Sequence, residues 1–369
     1  METQHVVFQK KDRDLFISLR KNVNDYFETN QISQYGDSTM WFKVFFWLIG
    51  WAVTYLVLIS GYFSGWALFG VAVLHMLTHV FIAFNIAHDA NHGSISKNEK
   101  INQWLSYSLD LIGVSSYLWR INHNQEHHGF VNVHNIDPSI EGYGIIRLSP
   151  EDEKKPSFRF QHIYGLMLYG LVTFNYVTMK DFKILRKAKQ LGISMSTSEV
   201  ITMVFFKLFY WTYMLVLPML LLDISFLQWL ATFMFGHVVL GIILSLVFQC
   251  GHLTEEAHYP EVEEGKVRNS WVVHIIKTTG DFGVQNKFFT WLVGGINIHV
   301  IHHLFPTICH THYAPVSRIL KETVEDYGIQ YRELPTFWDA IVSHVKLLKE
   351  LGLDYADHHH PPHPEHQHI

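Results

Sequence analysis

The sequence contains little cysteine and little charge, and both shortages exclude classes of protein. Cysteine accounts for 2 of its 369 residues, Cys250 and Cys309, which is too few for a disulfide framework. Charged residues make up 17% of the chain and the formal net charge is −5, without a basic block that would attract nucleic acid. Residues 1–39 lack an apolar run behind a basic start, so we expect no cleavable signal peptide. These absences favour a reducing, cytosol-facing setting and no nucleic-acid partner.

Apolar sequence is abundant, and it is arranged in long runs. Hydrophobic residues make up 49% of the chain and aromatic residues 15%, a composition that favours a membrane protein. A run of about 20 apolar residues crosses the hydrocarbon layer as a helix. The runs of this length cover residues 40–60, 66–87, 200–222 and 226–250. Short links join them in pairs, so the sequence predicts an all-α integral membrane fold with four transmembrane helices in two hairpins.

The distribution of positive charge predicts the topology. Neither short hairpin link carries Lys or Arg, whereas the long segment between the second and third runs carries many. Such residues collect on the cytosolic side, so we expect both chain ends and the central segment there. Lys43, near the start of the first run, is expected to snorkel toward the interface. The amphipathic stretches 101–118 and 158–177 are predicted to be interfacial helices.

Histidine is the compositional outlier, with 26 residues that fall mostly in short clusters. Three clusters, or boxes, contain pairs spaced i, i+3 or i, i+4, which on a helix places both imidazoles on one face and suits one metal ion. With one further histidine after the fourth run, the candidate ligands are His88, His92, His123, His127, His128, His252, His299, His302 and His303. A tetrahedral site takes at most four ligands, so this set predicts two metal ions. Imidazole suits zinc, copper, iron and nickel alike, and the membrane setting without thiolate ligands favours iron.

Each histidine pair also has a plain structural interpretation, because histidines hydrogen-bond in polar pockets. Boxes that collect on one predicted membrane face are poorly explained that way, since burying unpaired polar groups there is costly. A metal transporter would instead line a path through the spans with its histidines. Inside the spans, His75, His79 and His237 are interpreted as hydrogen-bonded polar groups. For His310 and His312, which follow the third box, a hydrogen-bonding role and a metal role both stay open.

The boxes resemble those of a known family. The segments HDANHGS (88–94), WRINHNQEHH (119–128) and GGINIHVIHHLFPTICHTHY (294–313) are similar to the three boxes of membrane fatty acid desaturases. The most similar members are bacterial acyl-CoA or acyl-lipid enzymes of the linoleoyl-CoA or front-end type. The resemblance implies four transmembrane helices under a cytosolic cap that holds two iron ions, and it places His252 among the ligands. It also implies a bacterial inner membrane location with the active site on the cytosolic side.

The implied reaction follows from the substrate's chemistry. An unactivated methylene has no acidic proton, so its hydrogens are removed by a strong oxidant, which a non-haem di-iron centre supplies from dioxygen and two external electrons. The expected substrate is a fatty acyl chain on CoA, a lipid or acyl carrier protein. The chain shows no His-Pro-Gly-Gly signature of a fused haem domain, so we expect a separate electron donor such as ferredoxin or a cytochrome b-type protein.

Departures from the family pattern leave related reactions open. Val131 stands where the family usually carries threonine, and Ser139 where it carries a second acid. A fatty acyl hydroxylase, acetylenase or decarboxylase on the same scaffold therefore remains an alternative. The third box opens with His299, where front-end enzymes carry glutamine. The residues expected to orient the imidazoles from behind are Asp89, Asn132, Asp137 and Asn297.

The chain is predicted to divide into three parts. Residues 1–39 form a cytosolic N-terminal segment, and residues 40–350 form the desaturase domain. Residues 351–369 form a tail rich in histidine and proline. Because this composition cannot build a packed core, the tail is expected to be disordered and without a catalytic role.

Overall fold

The computed structural model describes residues 6–190, 192–193 and 195–353. Four of its helices are long and apolar enough to cross a membrane. They are Ser38–Ile59, Gly65–Asn91, Thr197–Leu221 and Phe226–Gln249. The first packs along the second, and the second packs along the fourth. The prediction of a mostly helical fold with four spanning helices is therefore confirmed.

The elements are bounded as follows. The α-helices, in chain order, are α1 (Arg13–Thr29), α2 (Ser38–Ile59), α3 (Gly65–Ile82), α4 (His88–Asn91), α5 (Glu99–Leu111), α6 (Ser116–Arg120), α7 (Gln161–Tyr169), α8 (Val172–Asn175), α9 (Asp181–Gln190), α10 (Thr197–Trp211), α11 (Leu217–Leu221), α12 (Phe226–Gln249), α13 (Trp271–Thr278), α14 (Lys287–Leu292), α15 (His299–Leu304), α16 (Tyr313–Asp326) and α17 (Phe337–Leu353). Segments of π-helix are Ala83–Ala87, Ile121–His127, Tyr176–Lys180 and Thr212–Val216. Segments of 3₁₀-helix are Pro156–Phe160 and His310–His312.

Short polar side chains determine where three of the spanning helices begin. Asp37 accepts a hydrogen bond from the backbone N–H of Met40 at the start of α2. Ser196 and Glu199 form a capping box at the start of α10. Ser225 does the same with the glutamine three residues later at the start of α12. Each cap satisfies N–H groups that a helix start would otherwise leave without a partner.

Two small sheets depart from the predicted all-α fold. Val7–Phe8 runs parallel to Lys266–Val267, which also pairs antiparallel with Val262–Glu263. The second sheet pairs Asp281–Phe282 with Glu333–Leu334. The two parallel pairings join segments that are distant in sequence. Helices α1, α13, α15 and α16 pack around one apolar core, whereas the strand residues Val267 and Phe282 belong to two smaller clusters.

The two stretches predicted as interfacial helices are shorter than a span. Residues 101–118 fall in α5 and α6, and residues 158–177 are divided among several short helices, with a break at Gly170. The final helix continues to Leu353, inside the segment predicted as a tail. The rest of the predicted tail, residues 354–369, lies outside the described residues.

Candidate metal centre

The histidines predicted as ligands lie together and form two groups of four. The first group is His88, His92, His123 and His302. The second group is His127, His252, His299 and His303. Within each group the candidate ligand nitrogens all lie within 4.8 Å of one another. The structure therefore brings every predicted ligand to one place, and their assignment as iron ligands stays a prediction.

His128 lies between the two groups. Its ring stacks on His303 with centroids 4.1 Å apart, and its centroid lies 4.5 Å from that of His302. His128 therefore lies within reach of both groups, and its role as a ligand stays a prediction.

The pairing of histidines differs from the sequence prediction. The second box was expected to place His123 and His127 on one ion, but they fall in different groups. Their rings remain neighbours, with centroids 5.2 Å apart, but they face different partners: His123 lies beside His88 and His92, and His127 lies beside His252 and His303. The predicted pair of His299 and His302 is also divided. His302 belongs to the first group, and His299 shares the second group with His303.

Unpartnered nitrogen atoms indicate that the first group fits a metal ion. Nε2 of His88, His92 and His302 are buried and have no hydrogen-bond partner among the described residues. Buried polar atoms without partners are uncommon in proteins and need an explanation. A shared metal ion would use all three lone pairs at once.

The second group fits an ion through its nitrogen spacing. Nε2 of His252 lies 2.8 Å from Nε2 of His299 and 3.1 Å from Nε2 of His303. Metal–nitrogen bonds of about 2.1 Å at right angles place two ligand nitrogens about 3 Å apart. Nδ1 of His252 faces the carbonyl of Thr278 at 3.1 Å, and Nδ1 of His299 faces that of Ile296 at 2.8 Å. Those contacts favour a proton on Nδ1, so the facing Nε2 atoms are unprotonated and can bind a metal ion.

Burial favours the neutral imidazoles that metal binding requires. Burial, together with the neighbouring imidazoles of His127 and His88, lowers the pKa of His299 to about 3. Burial and nearby histidines likewise hold the pKa of His123, His302 and His303 well below the ordinary value. A neutral ring keeps the lone pair that a metal ion takes.

Asp137, one of the residues expected to orient an imidazole, contacts His127. Its Oδ1 lies 2.9 Å from His127 Nδ1, and its Oδ2 accepts the backbone N–H of Asn132 at 2.7 Å. Burial raises the pKa of this carboxyl, but the charge and hydrogen bond of His127 outweigh burial and the net pKa is lowered. Asn132 therefore acts on His127 through Asp137.

The other two predicted orienting residues have different surroundings. Asp89 Oδ1 lies 3.5 Å from His88 Nδ1, and its Oδ2 lies 2.8 Å from His310 Nδ1. The amide of Asn297 donates to the carbonyl of Phe282 and to the Thr290 hydroxyl, so its hydrogen bonds do not reach an imidazole. Asn297 positions the backbone before the third box.

Sequence reasoning missed several groups that hold the site. Asp281 accepts the backbone N–H groups of His299 and Val300 at 2.7 and 2.9 Å and so fixes the start of α15. Trp119 stacks on His123 with centroids 4.1 Å apart. Backbone carbonyls orient two further imidazoles, and such contacts leave no signal in residue type. Among these groups, Trp119 was the one that the sequence could have indicated, because it lies four residues before His123.

A cavity of about 520 Å³ runs past both groups. From the two groups, His88, His123, His127 and His252 line it, and His79 and His237 line it inside the spans. Near its opening, where Tyr143 is half exposed, Lys180 and Lys183 form part of the wall. In the membrane its wall is mostly apolar, with Leu240, Leu244 and Phe248 as examples. The cavity therefore connects a charged opening, the histidine groups and the apolar interior.

The histidines inside the spans lie outside both groups. His79 lies near the Tyr213 hydroxyl at 3.3 Å, and His237 lies near the Tyr210 hydroxyl at 3.0 Å. His75 contacts a threonine hydroxyl of the first span at 3.0 Å. These contacts agree with their interpretation as hydrogen-bonded polar groups.

Comparison with known proteins decides the family. The fatty acid desaturase family model matches residues 64–335. The chain belongs to the fatty acid desaturase family. It is 33% identical over 351 residues to the sn-1 linoleoyl-lipid 6-desaturase of Synechocystis sp. (strain ATCC 27184 / PCC 6803 / Kazusa), covering 90% of this chain and 94% of that protein. It is 31% identical to the acyl-lipid (8-3)-desaturase of Physcomitrium patens, covering 93% and 72%, and 30% identical to the sn-1 linoleoyl-lipid 6-desaturase of Arthrospira platensis, covering 91% and 92%.

The family resemblance noted from the boxes is thereby confirmed. The desaturase is an oxidoreductase of lipid metabolism and an integral membrane protein with four candidate spans. The matched region includes the three boxes, His252 and the cavity between them.

Proposed function

We propose that the desaturase introduces a double bond into the acyl chain of a membrane lipid at a di-iron centre. The observation that carries the proposal is the pair of histidine groups beside one membrane-penetrating cavity. Two iron ions would be held by the two groups, with His128 between them. When bound, they would supply the oxidising chemistry, in which dioxygen, two external electrons and two protons remove two hydrogens from adjacent carbons and leave two waters.

The chain's own residues position the substrate. His79 lines the cavity nine residues before His88 in the same spanning helix, about 13 Å deeper at 1.5 Å per residue. An extended acyl chain advances about 1.25 Å per carbon for C–C bonds near 1.52 Å, so this depth accommodates about ten carbons beyond the ions. Apolar walls hold those carbons and exclude water, which leaves the reacting methylenes beside the histidine groups.

The opening suits a polar head group, because Glu141 lines the cavity along with the two lysines. Lys183 lies over the Tyr143 ring at 5.0 Å, and Lys180 lies over the Tyr176 ring at 5.2 Å. All four line the cavity. The relatives named above carry lipid-linked substrates in their names, which supports a lipid rather than CoA or acyl carrier protein at this opening.

Further parts of the proposal concern the surroundings of the enzyme. We place the site on the cytosolic side, which the one-sided distribution of Lys and Arg supports, and we propose a bacterial inner membrane as the location. A separate ferredoxin or cytochrome b-type protein would deliver the electrons. We keep the predicted division into residues 1–39, 40–350 and 351–369, except that α17 crosses the last boundary and ends at Leu353.

Product analysis tests the function. Fatty acids from cells that express the chain would be compared by gas chromatography and mass spectrometry with those from cells that express His302→Ala. His312→Gln is a matched control, because His312 lies outside both groups and contacts the Tyr35 carbonyl. A new alkene is expected from the wild-type chain and the control, and none from His302→Ala. A hydroxylated, acetylenic or shortened product would assign one of the alternative reactions.

Elemental analysis tests the metal assignment separately. About two irons per chain are expected, since the histidines exceed what one ion accepts. Stoichiometric zinc, with activity independent of iron, would contradict the proposal.

A further inference from the structure

A buried lysine lies at one end of a series of contacts that reaches the first histidine group. Lys43 was expected to snorkel, but its side chain is only 1% exposed inside the first spanning helix. Its Nζ lies 2.7 Å from the Trp291 carbonyl and 2.7 Å from Nε2 of His310. A charged group in a spanning helix is costly unless it is paired, so this ammonium needs an anionic partner.

His310 connects Lys43 to that anion. Because the ammonium only donates, Nε2 of His310 accepts and its ring proton lies on Nδ1. Nδ1 lies 2.8 Å from Asp89 Oδ2, which also accepts the backbone N–H of His310 at 3.1 Å. The cation and the carboxylate are thus joined through one neutral imidazole. Asp89, Cys309 and His310 could otherwise hold a third metal ion, but Lys43 already supplies a cation there.

We propose that Lys43, acting through His310 and Asp89, is a positioning residue that keeps His88 in the form that binds the first metal ion. The anionic Asp89 faces His88 Nδ1 at 3.5 Å and favours a proton on that atom. Nε2 of His88, which has no partner among the described residues, then keeps its lone pair for the ion. This inference rests on the metal binding in the proposed function.

The second group is stabilised in another way. Asp137, which orients His127, accepts the backbone N–H groups of Asn132 and Ser139 at 2.7 and 2.9 Å. Those donors do not depend on Lys43. Loss of Lys43 should therefore weaken binding of the first ion and spare the second.

Metal titration tests the inference without using activity. Full-length protein in detergent would be stripped of metal and titrated anaerobically with Co²⁺, whose visible absorption reports imidazole coordination. For Lys43→Met we expect one of two Co²⁺ ions to bind about 10–100-fold more weakly, the usual effect of losing a group behind a ligand, and the other to bind unchanged.

The matched control is Lys207→Met. Lys207 is also a buried lysine in a spanning helix, but it pairs with Asp181 at 2.7 Å and donates to the carbonyls of Gly113 and Tyr176. Folded Lys207→Met should bind both Co²⁺ ions with wild-type affinity. If Lys43→Met cannot be recovered folded, His310→Leu breaks the same connection while leaving the Lys43–Trp291 contact, and the same selective loss is expected.

Three results would overturn the inference. The first is wild-type affinity for both ions in Lys43→Met or His310→Leu. The second is the same selective loss in Lys207→Met. In the third, the wild-type chain itself fails to bind a pair of Co²⁺ ions, and then the proposed metal centre fails along with the inference.

Discussion

Gly251, just beyond the fourth spanning helix, lies against the imidazole of His299. A Cβ added at this position would lie 2.4 Å from Cδ2, 2.8 Å from Cγ and 3.0 Å from Nε2 of that ring. Carbon atoms in contact lie about 3.5–4.0 Å apart, so the ring would have to move by about 1 Å. The backbone cannot easily yield instead, because the Gly251 carbonyl accepts the N–H of Gly280 at 2.9 Å. Gly251→Ala should therefore displace His299.

A displacement of this size should disturb metal binding strongly but destabilise the fold only slightly. Functional constellations are held within about 0.5 Å of their working geometry, and His299 Nε2 lies 2.8 Å from His252 Nε2. Overpacking of this kind costs about 1–3 kcal/mol of stability, which a domain of ordinary stability survives. We expect folded protein with the first ion retained, the second lost or bound at least about 10-fold more weakly, and little product.

Iron per chain and product yield, at matched membrane expression, measure this effect. Gly50→Ala is the control, because a Cβ at Gly50 in the first spanning helix meets nothing within 4 Å. It should retain both irons and full product. If Gly251→Ala also retained both irons and full product, the ring of His299 would not be a ligand in the position described above.

Other predictions concern single groups. His299→Gln should lower activity but leave measurable product and most of the iron, because the front-end enzymes that this chain resembles carry glutamine at that position. His302→Gln should abolish product. Equal iron loss in the two variants would contradict this prediction. Burial raises the pKa of Asp110 in the folded protein to about 7, whereas an aspartate in the unfolded chain has a pKa of about 4. The free energy of unfolding should therefore fall as the pH rises from about 4 to about 7. The thermal midpoint of Asp110→Asn should then exceed that of wild type by more near pH 8 than near pH 5, and an equal difference would refute the assignment. Cysteine placed at Lys183 should react with reagent from the cytosolic side of oriented vesicles, and reaction from the other side would reverse the proposed topology.

The sequence was sufficient for features that depend on local pattern. Hydrophobic runs of helix length predicted the spanning helices, and histidine spacing identified the residues that meet at the centre. The partition of those residues between two groups depends on backbone geometry, and spacing alone does not distinguish an α-helix from a π-helix around His123. The burial of Lys43 could not be predicted from the local sequence either, because its partners Trp291 and His310 are more than 240 residues away. Snorkelling is the general expectation for a lysine near a helix end, and tertiary pairing overrode it.

The π-helix of the second box brings a third histidine of that box toward the centre. The i→i+5 hydrogen bond from His128 N to His123 O widens the turn, and Nε2 of His128 lies 3.1 Å from Nε2 of His123. In an α-helix, residues five apart lie about 140° apart around the axis, so these two rings would face different directions. A second π-helix, Ala83–Ala87, directly precedes His88 in the second spanning helix. Two further π-helices among the described residues, Tyr176–Lys180 and Thr212–Val216, carry no box, so a π-turn alone does not mark a ligand site. The group that each ring joins follows from the elements that face it: His123 lies beside His88 and His92 of the second spanning helix, whereas His127 lies beside His252 and His303.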